Sequence, residues 1–317
     1  MLNKRIVLIT NNILGFRCLK KMVEKRLNIV GIISHIKDTT SNIDDYCSDL
    51  RDFCKIKNII FYECFNINNI YLNIENIAPD FVFIFDWSRS IPYNILEFTK
   101  AAVFNTHPSL LPKNRGNDAI AWQILNNESE SGVTLFGVEK GKADNGRIYV
   151  QESFSISQDE TASTFYEKAV RAAEKIIETK IDGIVSGSVE GIPQDEKKAT
   201  YTKTFDIEAR VIDWKQGANY IEKFIHALGS PYHGALAHYG SNLLRITKVK
   251  IKNNENYTDL YGTILVASKN TAVVQCGRGV IQITGIMDEN DKPLDIRILK
   301  PGTRFILKSK DDVRENI

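Results

Sequence analysis

The stretch Ala101-Ala102-Val103-Phe104-Asn105-Thr106-His107-Pro108-Ser109-Leu110-Leu111-Pro112 decides how this chain is read. The apolar run 101–104 reads as a buried strand. It hands an amide and an imidazole, Asn105 and His107, to its carboxyl end. Pro108 and Pro112 then exclude a helix and fix the exit loop. Residues 132–138 read as another strand, followed by a loop with Ala143-Asp144-Asn145-Gly146. An Asn, a His and an Asp presented in this way suit acyl transfer to an amine. One group holds the oxyanion, one exchanges protons, and one orients the imidazole or takes the amine's proton.

Working outward, residues 5–10 read as a strand, 14–25 as a helix and 28–34 as a second strand. This is the βαβ opening of a doubly wound, Rossmann-like α/β sheet. The turn Asn11-Asn12 lacks a GxGxxG pattern, so dinucleotide binding is not expected. A helix is expected over 42–53 and strands over 59–62 and 81–85. The loop Asp86-Trp87-Ser88-Arg89-Ser90-Ile91-Pro92 then lies at a strand's carboxyl end, where parallel sheets bind ligands. Downstream, a helix runs to about residue 125, strands cover 131–138 and 148–156, and an amphipathic helix covers 161–185. Phe165, Ala169, Ala172, Ile176 and Ile177 share its apolar face. The chain turns polar after Gly187. Beyond it come a helix over 218–228 and short strands over 234–239, 243–251, 262–268, 272–276 and 279–286, the pattern of a small β-barrel. The expected division is a catalytic domain over 1–190, a linker over 191–205 and a smaller, mostly-β, OB-like domain over 206–317.

Composition sets the outer limits. With 317 residues, 43% hydrophobic and 25% charged, the chain has material for a sizeable core, and a net charge of +2 gives no nucleic-acid footprint. Five cysteines, Cys18, Cys47, Cys54, Cys64 and Cys276, show no metal-ligand spacing; their odd number without a signal peptide points to reduced thiols in the cytoplasm. No apolar run reaches the length of a membrane span, so no membrane partner is expected. His35, His226, His233 and His238 are read as packing or surface residues, and no metal is expected.

Phe104-Asn105-Thr106-His107-Pro108-Ser109-Leu110-Leu111-Pro112-Lys113-Asn114-Arg115-Gly116, then Gly132-Val133-Thr134-Leu135, then Asp144-Asn145-Gly146-Arg147-Ile148 resemble the signature of the folate-dependent formyltransferases. Ser230-Pro231-Tyr232-His233-Gly234-Ala235 and the helix before it resemble the accessory domain of the tRNA and sugar members. The resemblance implies Asn105, His107 and Asp144 as catalytic residues and N10-formyltetrahydrofolate as co-substrate. It also implies that Phe85, Trp87, Arg89 and Ile91 contact the folate. Asn11, Lys113 and Arg115 are expected to border the second substrate, where the two cations could meet a phosphate.

The amine separates the readings. A nucleotide-linked amino sugar is preferred, with methionyl-tRNA as the alternative. The tRNA enzymes carry a long basic insertion after the second strand, whereas residues 36–45 here are short and acidic on balance. From residue 206 onward there are 16 Lys and Arg against 13 Asp and Glu, feeble for an RNA-binding surface. A non-catalytic folate-binding module is disfavoured because all three catalytic positions are intact. Hydrolysis of the formyl-folate is set aside on the expectation that it needs a regulatory domain before the first strand. A homodimer is left open.

Overall fold

The computed structural model describes residues 4–35, 46–64, 70–87, 91–141 and 143–306. Two compact units emerge. One is built from Met1–Gln123, Glu128–Ile156 and Phe165–Lys203, and the other mainly from Thr204–Ile317.

The first unit opens with β1 (Ile6–Ile9), α1 (Ile13–Glu24), β2 (Ile29–His35), α2 (Cys47–Lys57), β3 (Phe61–Cys64), α3 (Ile70–Ile77) and β4 (Phe81–Ile84). It continues through β5 (Ala102–His107), β6 (Arg115–Gly116), α4 (Ala119–Leu125), β7 (Glu130–Gly137), β8 (Ile148–Ser155), α5 (Ala162–Ser186) and β9 (Tyr201–Thr202). Seven strands form one sheet in the order β3-β2-β1-β4-β5-β7-β8. The first five are parallel, and β7 and β8 are added antiparallel. The order reverses between β1 and β4, which opens a crevice at their carboxyl ends.

Strand alternation divides the core into two layers. Ile6 and Leu8 of β1, Phe81 and Phe83 of β4 and Phe104 of β5 pack with α1 and α5. Val7, Ile9, Val82, Ile84 and Val103 face the other way and pack with α3 through Ile70, Ile74 and Ile77. The expected apolar face of α5 is buried as read, from Phe165 to Ile177. Asn12 caps α1 by accepting a hydrogen bond from the Gly15 amide at 3.1 Å. The expected helix over 42–53 begins at Cys47 in the described residues; residues 42–45 lie outside them.

Two features differ from the sequence reading. β5 does not stop at Phe104. Asn105, Thr106 and His107 stay in the ladder against Phe136, Leu135 and Thr134 of β7, so the candidate residues are held by a sheet rather than by a loop. The polar segment read as a linker is ordered against the first unit through Lys203. β9 pairs in parallel with β6, and Ile192 bridges Ile148.

The second unit contains α6 (Ala218–Ala227), β10 (Ala235–Tyr239), β11 (Asn242–Asn253), β12 (Ile264–Ala267), β13 (Ala272–Gln275) and β14 (Val280–Met287). Its antiparallel sheet has the order β10-β11-β14-β13-β12. Arg304 bridges Thr263 beside one edge strand and Ile306 bridges His238 in the other, so the 304–306 segment spans the two edges. Trp214 is buried and stacks on Phe305, with ring centroids 4.8 Å apart.

Candidate active site

Because β5 alternates, Asn105 and His107 share the face of Val103, the layer in which Trp87 and Ile91 also pack. Asn105 accepts the Thr106 amide on its Oδ1 at 2.8 Å. Its Nδ2 donates to no described protein group, leaving a half-buried amide with an open donor.

His107 is buried, and its Nε2 lies 2.6 Å from the Asn114 carbonyl oxygen. A carbonyl can only accept, so Nε2 carries the hydrogen and Nδ1 keeps its lone pair. Nδ1 faces Asp144 Oδ2 at 3.7 Å, beyond direct hydrogen-bond length and within ion-pair range. The imidazole is thus oriented by a backbone group, and the carboxylate stands on its Nδ1 side.

Asp144 is itself fixed from two directions. Its Oδ2 accepts the Gly116 amide at 2.9 Å. Gly116 has a φ of 102°, and a Cβ there would lie 2.7 Å from the Thr202 carbonyl, so the position needs glycine. From behind, Gln194 Nε2 donates to the carbonyls of Asp144 and Gly146, each at 2.7 Å. Gly146 lies so close to the Gly137 carbonyl that a Cβ would fall 1.6 Å from it.

Asn114 was not singled out from sequence, although it sits within the quoted motif. It is buried at a φ of 57°, a conformation Asn tolerates. Its amide donates to both Glu128 oxygens at 3.0 and 3.2 Å, and its backbone N–H donates to Thr200 Oγ1 at 2.8 Å. Those bonds hold the carbonyl that holds His107. The Asn and the following Arg-Gly signal a turn, but no spacing rule announces a carbonyl that fixes a tautomer.

Arg115 is a correction. Its side chain has no exposed surface, and its guanidinium donates to Gln194 Oε1, to both Glu196 oxygens and to the Tyr201 hydroxyl. Its donors are spent inside the protein, where it anchors Gln194 and so the Asp144 loop; it does not meet a substrate phosphate. Lys113 is exposed, as a cation offered to a ligand must be. Asn11 is buried, and its Nδ2 donates to His35 Nε2 at 2.9 Å. The His35 ring in turn meets Trp87 edge-on at 4.8 Å, so Asn11 sits with Trp87.

Among the expected folate contacts, Trp87 and Ile91 lie in the layer of the candidate pair Asn105 and His107. Trp87 Nε1 is buried without a partner among the described residues, a donor awaiting an acceptor. Phe85 is a second correction. It is fully buried in the α1 and α5 layer and stacks on Phe83, with centroids 6.0 Å apart, so alternation turns it away from the crevice. Arg89 lies outside the described residues, as does the 36–45 loop used to weigh a tRNA substrate. A cavity of about 610 Å³ opens at the amino ends of β4 and β5, among Lys4, Phe81, Tyr149 and Val189, and none of these candidates lines it. Among the described residues no cluster of three His, Cys, Asp or Glu side chains is placed to hold a metal ion.

Residues 66–181 match the family model described as formyl transferase, and residues 206–303 match its C-terminal domain. A methionyl-tRNA formyltransferase from Clostridium novyi is 31% identical over 74% of this chain and 75% of its own length. The bifunctional polymyxin resistance protein ArnA from Wigglesworthia glossinidia brevipalpis is 29% identical over 99% of this chain, which spans about half of that relative, 47%. Among solved structures, WlaRD, a sugar 3N-formyl transferase crystallised with dTDP and 5-N-formyl-THF, superimposes with a TM-score of 0.65. That match has 23% identity and covers 89% of this chain and 98% of WlaRD, a likeness of fold.

Proposed function

Because the chain belongs to the folate-dependent formyl transferase family, we propose that it moves a formyl group from N10-formyltetrahydrofolate to the primary amine of a nucleotide-linked amino sugar. The family makes it a one-carbon transferase and names its co-substrate. The residues present suit that donor: an unpartnered buried indole N–H at Trp87 and an open amide at Asn105, on one side of the sheet.

The observation that carries the reaction is the orientation of His107, with Nε2 committed to the Asn114 carbonyl and Nδ1 turned to Asp144. When bound, the formyl-folate supplies an activated formyl carbon. Asn105 Nδ2 donates to the oxygen on which negative charge develops, a contribution of about 3–4 kcal/mol in related acyl transfers. His107 Nδ1 takes a proton from the attacking amine, and the Asp144 carboxylate faces the charge that results. The same nitrogen returns the proton to the departing amine, so no proton is left over.

The sugar reading is supported by charge. The second unit has little cationic excess, and one exposed cation, Lys113, suffices for a diphosphate where a tRNA demands many phosphate contacts. WlaRD, itself a sugar enzyme, matches over nearly its whole length. A second reading, methionyl-tRNA formylation, is favoured by the 31% identical relative of that name. The five cysteines are all free thiols, which suits a cytoplasmic setting.

The test is incubation with N10-formyltetrahydrofolate against a panel of nucleotide-linked amino sugars and Met-tRNA, scored by mass at about 50 and 200 mM salt. The expected outcome is a formylated sugar with a modest salt effect. Formylation of Met-tRNA alone, falling steeply with salt, overturns the sugar reading and leaves the formyltransferase standing.

A further inference from the structure

Asp86 takes no part in the chemistry above, yet three elements converge on it. It follows β4 with a φ of 45°, a left-handed conformation that few non-glycine residues adopt without outside support. Its carboxylate accepts the hydroxyl of Tyr166 on α5. Its carbonyl accepts the side-chain amide of Asn12, the cap of α1. Its N–H donates to Thr106 Oγ1 at 3.4 Å, and Thr106 lies between Asn105 and His107. The residues on either side go opposite ways, Phe85 into the α1 and α5 layer and Trp87 into the layer of the catalytic pair.

We propose that Asp86 is a positioning residue for the formyl donor: its bonds to Tyr166, Asn12 and Thr106 set where the Trp87 indole stands relative to Asn105. The proposal rests on reading Trp87 as a donor contact. Two further facts favour it over a packing role. Among the described residues no cation partners Asp86, and burial raises the carboxyl's pKa against the opposing effect of the Tyr166 hydrogen bond. An apolar pair would fill the space without that desolvation. What the carboxylate adds is one fixed vector, toward the phenol, while the Asn12 amide and the Thr106 hydroxyl hold the Asp86 backbone carbonyl and N–H. Two of those anchors, Asn12 and Thr106, belong to the crevice itself, at the end of β1 and on β5. Movement of Asp86 is therefore movement of the donor wall against the catalytic strand.

The test is calorimetric titration of 5-formyltetrahydrofolate, the folate present with WlaRD, into wild type, Tyr166→Phe, Asp86→Ala, the double variant and Trp87→Ala. Tyr166→Phe and Asp86→Ala should each raise the Kd about three- to tenfold, as expected for loss of one buried hydrogen bond. The double variant should be no worse than the worse single one, because both changes break the same contact. The KM of the amine substrate should stay within about twofold, a split that a loss of folded protein would not produce. An unchanged folate Kd in both single variants, with Trp87→Ala weakened more than about tenfold, overturns the proposal and leaves the Trp87 assignment intact. An unchanged Kd in Trp87→Ala removes that assignment, and the proposal falls with it.

Discussion

Replacing Asp144 by Asn removes one charge and almost no volume, and the structure says what that charge is worth. The carboxylate stands 3.7 Å from His107 Nδ1, and the two side chains are 15% and 7% exposed. When Nδ1 carries the amine's proton, the pair attracts by about 4 kcal/mol at an effective dielectric constant of ~20. Solvent at the mouth of the crevice reduces that figure, so a kcat loss of roughly a hundred- to a thousandfold is expected. Two other consequences are excluded by geometry. The Gly116 N–H can still be accepted by the amide oxygen of Asp144→Asn, so the loop keeps its anchor. The imidazole tautomer does not turn over, because Nε2–H is held by the Asn114 carbonyl and not by Asp144. The variant should therefore bind 5-formyltetrahydrofolate as wild type does while its single-turnover rate collapses. A kcat loss below about tenfold, or a loss mirrored by equally weakened folate binding, would refute the assignment of Nδ1 as the working nitrogen.

Three further outcomes follow from the same geometry. Arg115→Lys should destabilise the protein by about 2–4 kcal/mol and lower kcat, since a lysine cannot serve Gln194, Glu196 and Tyr201 together; an unchanged melting temperature with a raised KM for the amine would instead restore a substrate role. Lys113→Ala should raise the KM of a nucleotide-linked substrate several-fold and leave that of the folate alone, as loss of one exposed charge on a diphosphate predicts; a larger effect on the folate would reverse the two halves of the crevice. Asp86→Asn should gain stability relative to wild type between pH 4 and pH 7. Burial raises the folded carboxyl's pKa above its unfolded value, so the wild-type contribution is full below about pH 4 and is lost as pH climbs through the raised value. Denaturant midpoints at the two pH values decide it, and a gap that does not move with pH counts against the burial argument.

Much of the first unit was legible because its strands are short apolar runs bounded by turn residues. Residues 5–10, 28–34 and 81–85 fall on β1, β2 and β4, and the five strand runs beyond residue 230 fall on β10 to β14. α3 was not read. Ile70, Ile74 and Ile77 do have helical spacing, but they are β-branched residues in a segment rich in Asn, so local preference argued against the packing that decides it. The face of a residue beside a strand end was equally hidden. Phe85 and Trp87 look like two members of one aromatic loop, and only the alternation continuing past Ile84 sends them to opposite layers. Arg115 misled for a related reason. A cation in a loop between a proline and a glycine looks solvated until Gln194, Glu196 and Tyr201 arrive from about 80 residues away.

The three candidate residues were chosen from residue type and order, yet what orients them is not a property of those residues. His107 is aimed by a carbonyl, Asp144 by a glycine N–H and a glutamine amide, and both supports depend on residues 114–116. Asn114 places the carbonyl through Glu128 and Thr200, Arg115 secures Gln194, and Gly116 supplies the N–H at a φ only glycine accepts with ease. Three consecutive residues thus serve three separate supports of the proposed proton path. That explains why a cation was mistaken for a ligand there: in sequence, a tripeptide that builds a site and one that touches a substrate look the same. The distinction appears only when each donor and acceptor is traced to its partner, and for Arg115 every partner is protein.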